Sequence, residues 1–156
     1  MTSIVIGLAI IGIVYWVASY IKKMKVRANE ILSKIVEVNQ QLGTNFPADA
    51  SALKNNPLVF GTYNSPTGMI FDKEKCKVLT IAGSQVCVHD YDYIDRWSFE
   101  WSEVSKVVLD KPVIQQSDPH FIIGTTDLVR PTLRVNVASM QDGRDWNQRL
   151  AVLLGR

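Results

Sequence analysis

An apolar run near the start of the chain constrains its architecture most. Ile4 to Ile21 is a stretch of 18 residues without a charged side chain. As a helix rising about 1.5 Å per residue it would be about 27 Å long, close to the thickness of a bilayer core. Aromatic residues stand at its far end and basic residues follow directly: Tyr15, Trp16 and Tyr20, then Lys22, Lys23, Lys25 and Arg27. This order of apolar, aromatic and basic residues predicts a transmembrane anchor over residues 1–21.

The basic residues also predict an orientation. Lys and Arg near a membrane span stay on the cytoplasmic side, and here they follow the span while none precedes it. We therefore expect a single-pass protein of the inner (plasma) membrane, with its N-terminus outside and the rest of the chain in the cytoplasm. The same cluster is expected to contact anionic lipid headgroups, at roughly 1 kcal/mol per basic residue. A cleavable signal peptide is disfavoured, because Val17-Ala18-Ser19-Tyr20 is a poor cleavage site.

The charge of the remaining chain argues against nucleic-acid binding. The net charge is +2, and residues 22–27 alone contribute four basic groups. Residues 28–156 therefore carry 13 basic and 15 acidic groups, a net of −2. Proteins that bind nucleic acid need a basic surface to neutralise phosphates. Only two cysteines occur, Cys76 and Cys87, which are too few for a disulfide framework and are expected as free, buried thiols.

Apolar residues recur at helical spacing after the basic cluster. The residues of this stripe are Met24, Ala28, Ile31, Ile35, Val38 and Leu42. Gly43 follows in the position typical of a helix end, so residues 22–43 are predicted to form a juxtamembrane amphipathic helix. The stripe either pairs with a second chain, giving a homo-oligomer through residues 24–42, or packs on the protein's own domain. Fewer than three heptads are short for a free-standing coiled coil, which favours internal packing.

The rest of the chain has the pattern of an α+β domain. Residues 44–67 contain Pro47, Pro57 and Pro66 and are predicted to be a loop-rich connector. From Gly68 onward, several segments alternate apolar and polar residues as antiparallel strands do, including a hairpin that turns at Gly83-Ser84. A last helix follows Ser139 and is expected to bury Trp146 and Leu150. We predict a partly open β-barrel that this C-terminal helix covers.

Two motifs carry a family resemblance. Phe99-Glu100-Trp101-Ser102-Glu103-Val104 is similar to a recurrent strand of pleckstrin-homology-like domains of bacterial membrane proteins, and Asp145-Trp146-Asn147-Gln148-Arg149-Leu150 to the start of their last helix. The resemblance implies a PH-like domain over residues 68–156. The complete layout resembles small membrane proteins of bacteria and their prophages. That likeness implies superinfection exclusion or envelope defence at the inner membrane as one function.

The densest polar cluster begins at His89. It cannot be a calcium loop of the EF-hand type, because Asp95 stands where that loop needs glycine. His89, Asp90 and Asp92, joined by His120, could serve a membrane-bound hydrolase or metalloenzyme, which is the enzymatic alternative. The other interpretation is a solvated acidic strand end. No catalytic motif occurs in the sequence, so we assign no catalytic, cofactor-binding or metal-binding residue and expect no cofactor.

The end of the chain is rich in arginine. Residues 128–156 carry five arginines against two aspartates: Arg130, Arg134, Arg144, Arg149 and Arg156. The first four either form a surface for an anionic partner or are solvated and paired with Asp142 and Asp145.

Together these features predict a membrane-tethered, non-enzymatic interaction module on the cytoplasmic face. Its expected partner is a membrane protein or an anionic lipid surface, because tethering raises the effective concentration of the domain near both. A structural subunit of a secretion or envelope complex is a further alternative.

Overall fold

The computed structural model describes residues 2–61, 66–108 and 111–156, with the side chains of this part except those of residues 2–18, 55, 108 and 111. The fold class is α+β, as predicted. The helices in the described part are α1 (Thr2–Leu42), α2 (Ala50–Asn55) and α3 (Met140–Leu154). The strands are β1 (Val59–Phe60), β2 (Thr67–Asp72), β3 (Lys77–Ala82), β4 (Gln85–Asp90), β5 (Ile94–Val108), β6 (Lys111–Thr125) and β7 (Thr132–Asn136).

The strands form two antiparallel sheets in the described residues. One sheet has four strands in the order β1-β2-β3-β4, and the other has three in the order β5-β6-β7. The predicted hairpin is confirmed, since β3 and β4 pair with Thr80 opposite Cys87. The predicted barrel is wrong. A 3-10 turn at Tyr91–Tyr93 ends the ladder after β4, and β5 then pairs with β6 rather than with β4.

The predicted membrane anchor is contradicted. Within the part of the chain that the structure describes, no helix combines the length and apolarity needed to cross a membrane. The transmembrane anchor at residues 1–21, the single-pass topology and the inner-membrane localisation are therefore wrong. Anchor and amphipathic helix form one helix, α1, whose described side chains begin at Ser19 and include seven charged residues, which leave no long apolar window. Most of the predicted span, residues 2–18, lies outside the described side chains.

Helix α1 packs on the outer face of the four-stranded sheet. Ile35 is fully buried there against Ile70 and Leu79, and Ile31 and Val38 pack around it. The apolar stripe thus contacts the protein's own domain, the second of the two arrangements considered for it. Two long side chains of α1 also reach the turn between β3 and β4. The Arg27 guanidinium donates to the carbonyl of Gly83 (2.8 Å), and the Lys34 ammonium donates to that of Ser84 (2.7 Å).

The main core lies between the two sheets and under α3. Phe60 of the four-stranded sheet contacts Phe121 of the three-stranded sheet and Trp146 of α3, with ring centroids 5.0 and 4.4 Å away. The predicted burial of Trp146 and Leu150 is confirmed, because they are 3% and 0% exposed. Helix α3 begins where predicted: the Ser139 hydroxyl accepts a hydrogen bond from the backbone N–H of Asp142 (3.1 Å). The core therefore joins the three-stranded sheet firmly to the rest of the domain.

Candidate interaction surface

The hairpin of β5 and β6 extends beyond the core. Both strands are 15 residues long, but β7 pairs only with residues His120–Gly124 of β6. In the described part of the chain, residues 102–108 and 111–117 consequently pair only with each other, and Trp101 precedes them at a register shift. We call this distal half of the hairpin the ribbon.

Apolar side chains of the ribbon are exposed to solvent. Their exposed fractions are 40% for Trp101, 43% for Val104, 73% for Val107, 44% for Val113 and 68% for Ile114. The strand register places Val107 and Ile114 on one face and Val104 and Val113 on the other. A two-stranded hairpin is at best marginally stable alone in water, and clustered exposed apolar groups are typical of interaction sites. Both faces of the ribbon are thus suited to contact another molecule.

The two outer edges of the ribbon differ. Pro112 stands in β6 opposite Val107, and proline is tolerated in a strand only where the missing N–H would face away from the partner strand. The outer edge of β6 therefore lacks one donor. The outer edge of β5 from Ser102 to Val108 contains no proline and a single lysine, Lys106. Because proline and lysine are the usual protections of an open edge, β5 is the edge more able to accept a further strand.

A polar cluster holds the ribbon where it leaves the domain. The register shifts between Glu100 and Ser102, and Asp118 has a positive φ of 55°. The buried His120 contacts the backbone carbonyl of Asp118 through Nδ1 (2.7 Å), and its Nε2 lies 3.9 Å from the Glu100 carboxylate. Arg134 of β7 donates to the Asp118 carboxylate (2.6 Å), and this hydrogen bond lowers the pKa of Asp118. These contacts link β5 to β6 and β6 to β7 at the point where the ribbon begins.

A separate cleft of about 190 Å³ lies between the four-stranded sheet and the loop after β6. His89 stacks on Tyr93 in this cleft, with ring centroids 3.7 Å apart. Burial lowers the pKa of His89, although the nearby carboxylates of Asp127 and Asp90 act in the opposite direction. The ring is therefore neutral at neutral pH. Among the described residues no hydrogen bond links the His89 side chain to an acid or a nucleophile. The described part of the cleft therefore contains no assembled catalytic pair.

The residues proposed for a metal site are not brought together. His89 lines the cleft, whereas His120 lies in the cluster at the root of the ribbon. Asp90 pairs with Lys77 (2.6 Å), and Asp92 is exposed in the turn before β5. Across the described ranges, no group of three or more His, Cys, Asp or Glu side chains could hold a metal ion.

The predicted burial of the two cysteines is wrong, since both are free and exposed. Alternation along β4 explains Cys87. Val86 and Val88 pack toward α1, which leaves Cys87 and His89 on the side of the cleft. Cys76 lies outside the strands, in the turn between β2 and β3, with a φ of 51°.

The four arginines of the proposed anionic surface engage different parts of the domain. Arg130 donates to the side chain of Gln85 beside the cleft, and Arg134 pairs with Asp118 at the ribbon. Arg149 lies over the Trp146 ring (5.3 Å) and donates to the carbonyl of Pro57 (3.2 Å), while Arg144 is exposed on α3.

Within the basic cluster of α1, three residues are exposed, Lys22, Lys23 and Lys25, and Arg27 contacts Gly83. Binding of an anion by either set stays a prediction.

Sequence reasoning did not identify the ribbon. It recognised strands around Trp97–Trp101 and Val107–Leu109 but not that one strand runs from Ile94 to Val108. A signal was present in the β-branched residues Val104, Val113 and Ile114, because such residues favour strands. Their exposure was not predictable from local pattern, since valine and isoleucine are also the usual residues of a core.

Comparison of the chain with protein-family models, curated proteins and solved structures finds no match in any of the three. The resemblance to PH-like membrane proteins therefore stays a prediction, and a function has to be inferred from the geometry of the chain itself.

Proposed function

We propose that this protein is a non-enzymatic interaction module that binds a protein partner through the ribbon. The observation that carries the proposal is the exposure of Trp101, Val104, Val107, Val113 and Ile114 on a strand pair that the described domain leaves uncovered. Burying apolar surface contributes roughly 25 cal/mol per Å². A partner that covers these side chains would gain this contribution without first displacing part of the domain.

The mode of binding follows from the ribbon's construction. The open edge of β5 offers backbone donors and acceptors to an added strand, and the side chains on alternate faces supply selectivity. The contacts among Glu100, Asp118, His120 and Arg134 join the three strands at the root of the ribbon and restrict its motion there before binding. Preorganisation of this kind reduces the conformational entropy lost on association.

The other candidate surfaces support a function less well. The guanidinium groups of Arg130, Arg134 and Arg149 already donate hydrogen bonds within the domain, so an anionic partner would have to compete with these contacts. The enzymatic alternative needs His89 and His120 in one site, but they belong to separate clusters. The ribbon offers several exposed apolar groups together on one pair of strands, which a partner could bury.

The proposal is tested by site-specific photo-crosslinking of the full chain in its own cells. A photoreactive amino acid replaces Val107, which is 73% exposed on the ribbon, or Val152, which is 76% exposed on α3 and serves as the matched control. We expect a discrete protein adduct from position 107 and none from position 152. Adding Ile114→Lys should reduce the adduct roughly tenfold, because a charge would stand in the apolar contact. Equal adducts from both positions, or none from position 107, would contradict the proposal.

A further inference from the structure

We propose that the protein that pairs with the open β5 edge of the ribbon is a second copy of this chain. Two β5 strands pair edge to edge in antiparallel orientation about a twofold axis at Val104, which gives a four-stranded sheet across the dimer. The inference rests on the proposed function, because it uses the ribbon as the binding surface. It differs from association through α1, whose residues Ile31, Ile35 and Val38 pack on the protein's own sheet.

The exposed apolar residues of β5 are symmetric in sequence. Trp101 and Val107 lie three positions before and after Val104. In an antiparallel pair centred on Val104, Trp101 of one copy stands opposite Val107 of the other, and Val104 stands opposite itself. Such aromatic–aliphatic and aliphatic cross-strand pairs stabilise neighbouring strands. A twofold interface requires a patch that complements itself, and this segment has that property.

The polar residues of β5 also favour a twofold axis at Val104. Ser102 stands opposite Lys106, and Glu103 stands opposite Ser105, so no like charges face each other directly. Lys106 of each copy also lies diagonally across from Glu100 of the other copy, so two such pairs occur in the dimer. The diagonal distance is within reach of a long side chain. Glu103 of each copy lies diagonally across from Glu103 of the other copy, and these two carboxylates repel each other. The Glu103 carboxylate accepts a hydrogen bond from the Trp101 indole (3.3 Å), which offsets part of this repulsion.

Twofold axes placed at neighbouring residues of β5 are less favourable than one at Val104. A twofold axis at Glu103 or at Lys106 would place identical charges directly opposite each other. An axis at Ser105 would place Val104 against Lys106 and Val107 against Glu103. Like charges directly opposite each other destabilise paired strands. The sequence of the edge therefore favours the register centred on Val104.

The faces of the combined sheet also match. A twofold axis perpendicular to a sheet keeps each face on its own side, so the alternating side chains of the two copies continue across the new pair. Val107 and Ile114 of one copy share a face with Trp101 of the other, and Val104 and Val113 lie on the opposite face. Association thus gathers the exposed apolar groups of two ribbons into two larger apolar patches.

Disulfide trapping tests the register in the full chain. The exposed Cys76 and Cys87 are replaced by serine, and a single cysteine is introduced by Val104→Cys. Directly opposed residues have Cα atoms about 4.5–5.5 Å apart, which a disulfide can bridge. We expect rapid oxidation to a dimer. The matched control Ser105→Cys should oxidise much more slowly, since the two copies of residue 105 lie diagonally, about 7–8 Å apart.

Charge substitution tests the association itself. Val104→Lys and Val104→Glu each place like charges opposite one another, and each should raise the dimer dissociation constant at least roughly tenfold. An equimolar mixture of the two should restore dimers, because Lys then faces Glu. Sedimentation gives the mass, and circular dichroism checks that both variants keep the wild-type fold. Val104 is 43% exposed, so neither substitution should unfold the domain.

Three results would overturn the dimer. These are a wild-type chain that stays monomeric at about 100 µM, an oligomer that Val104→Lys leaves intact, and equal oxidation at positions 104 and 105. If the chain is monomeric but position 107 still crosslinks to a different protein, the dimer is refuted and the proposed function stands. A monomer without any adduct from position 107 refutes both.

Discussion

The contact between Gly143 and Phe99 gives the sharpest test of the fold. Gly143 is buried in the first turn of α3, and a Cβ atom built on it would lie 2.2 Å from Cε2 and Cζ of the Phe99 ring. The ring cannot retreat freely, because it stacks on Phe121 with centroids 5.0 Å apart. We therefore predict that Gly143→Ala destabilises the protein, although alanine is the better helix former.

Two opposing effects set the size of the destabilisation by Gly143→Ala. To reach an ordinary contact of 3.4 Å the Phe99 ring has to move away from a starting separation of 2.2 Å, and overpacking of this kind costs about 1–3 kcal/mol. Alanine in place of glycine returns up to about 1 kcal/mol of helix stability. Because the built Cβ lies only 2.2 Å from the ring, the overpacking cost falls in the upper part of its range, about 2–3 kcal/mol, and the expected net loss in the free energy of unfolding is about 1–2 kcal/mol.

Urea unfolding followed by circular dichroism measures this loss. The same substitution in a Phe99→Leu background should be neutral or stabilising, because the ring is gone and only the helix preference remains. Arg144→Ala, at the exposed neighbouring position, is the control and should change stability by less than about 0.5 kcal/mol. A Gly143→Ala protein as stable as the wild type, or an equal loss in both backgrounds, would refute the packing described here.

Three further predictions concern buried aromatic and titratable groups. Trp146→Ala should lower the free energy of unfolding by about 3–5 kcal/mol in urea titrations, because the indole is 3% exposed in the core. Burial lowers the pKa of His89 below 6.5 in the folded state, so its contribution to stability is present above that pH and is lost on acidification. His89→Phe, which keeps a ring against Tyr93, should reduce the loss of stability that follows as the pH falls below 6.5. Burial raises the pKa of Tyr91 to about 12, from 10.0, so its contribution is lost as the pH rises through this interval. Tyr91→Phe should reduce that alkaline loss, and ultraviolet absorbance should show one fewer tyrosine titrating near pH 12.

Local signals in the sequence predicted local structure well. Gly83-Ser84 determines the β3–β4 hairpin, because the turn fixes the register of the strands beside it. Ser139 and Gly155 mark the two ends of α3, through a side-chain cap at one end and a left-handed residue (φ 67°) at the other. Each of these features depends on residues within a few positions of one another.

Features that depend on distant partners were not predictable. Nothing near β4 indicates that β5 pairs with β6 instead of with β4, so a barrel was expected where two sheets form. Phe99 and Trp101 alternate like the buried face of one strand, yet Trp101 lies at the register shift and is 40% exposed. The candidate surface was missed for the same reason. The membrane anchor was inferred from the local order of apolar, aromatic and basic residues, and no helix in the described part of the chain has the length and apolarity to cross a membrane.

The packing of Phe60 on Trp146 has a consequence for the growing chain. A ribosome releases the polypeptide from its N-terminus, so α1 and the four-stranded sheet emerge long before α3. Helix α1 can cover the outer face of that sheet early, but the inner face, with Phe60, Met69 and Phe71, is completed only when Trp146 arrives. Until α3 has emerged, this apolar face is available to chaperones and proteases. A chain truncated before α3 would leave this face incompletely covered, even with Phe121 against Phe60, and should be cleared by the cell rather than accumulate.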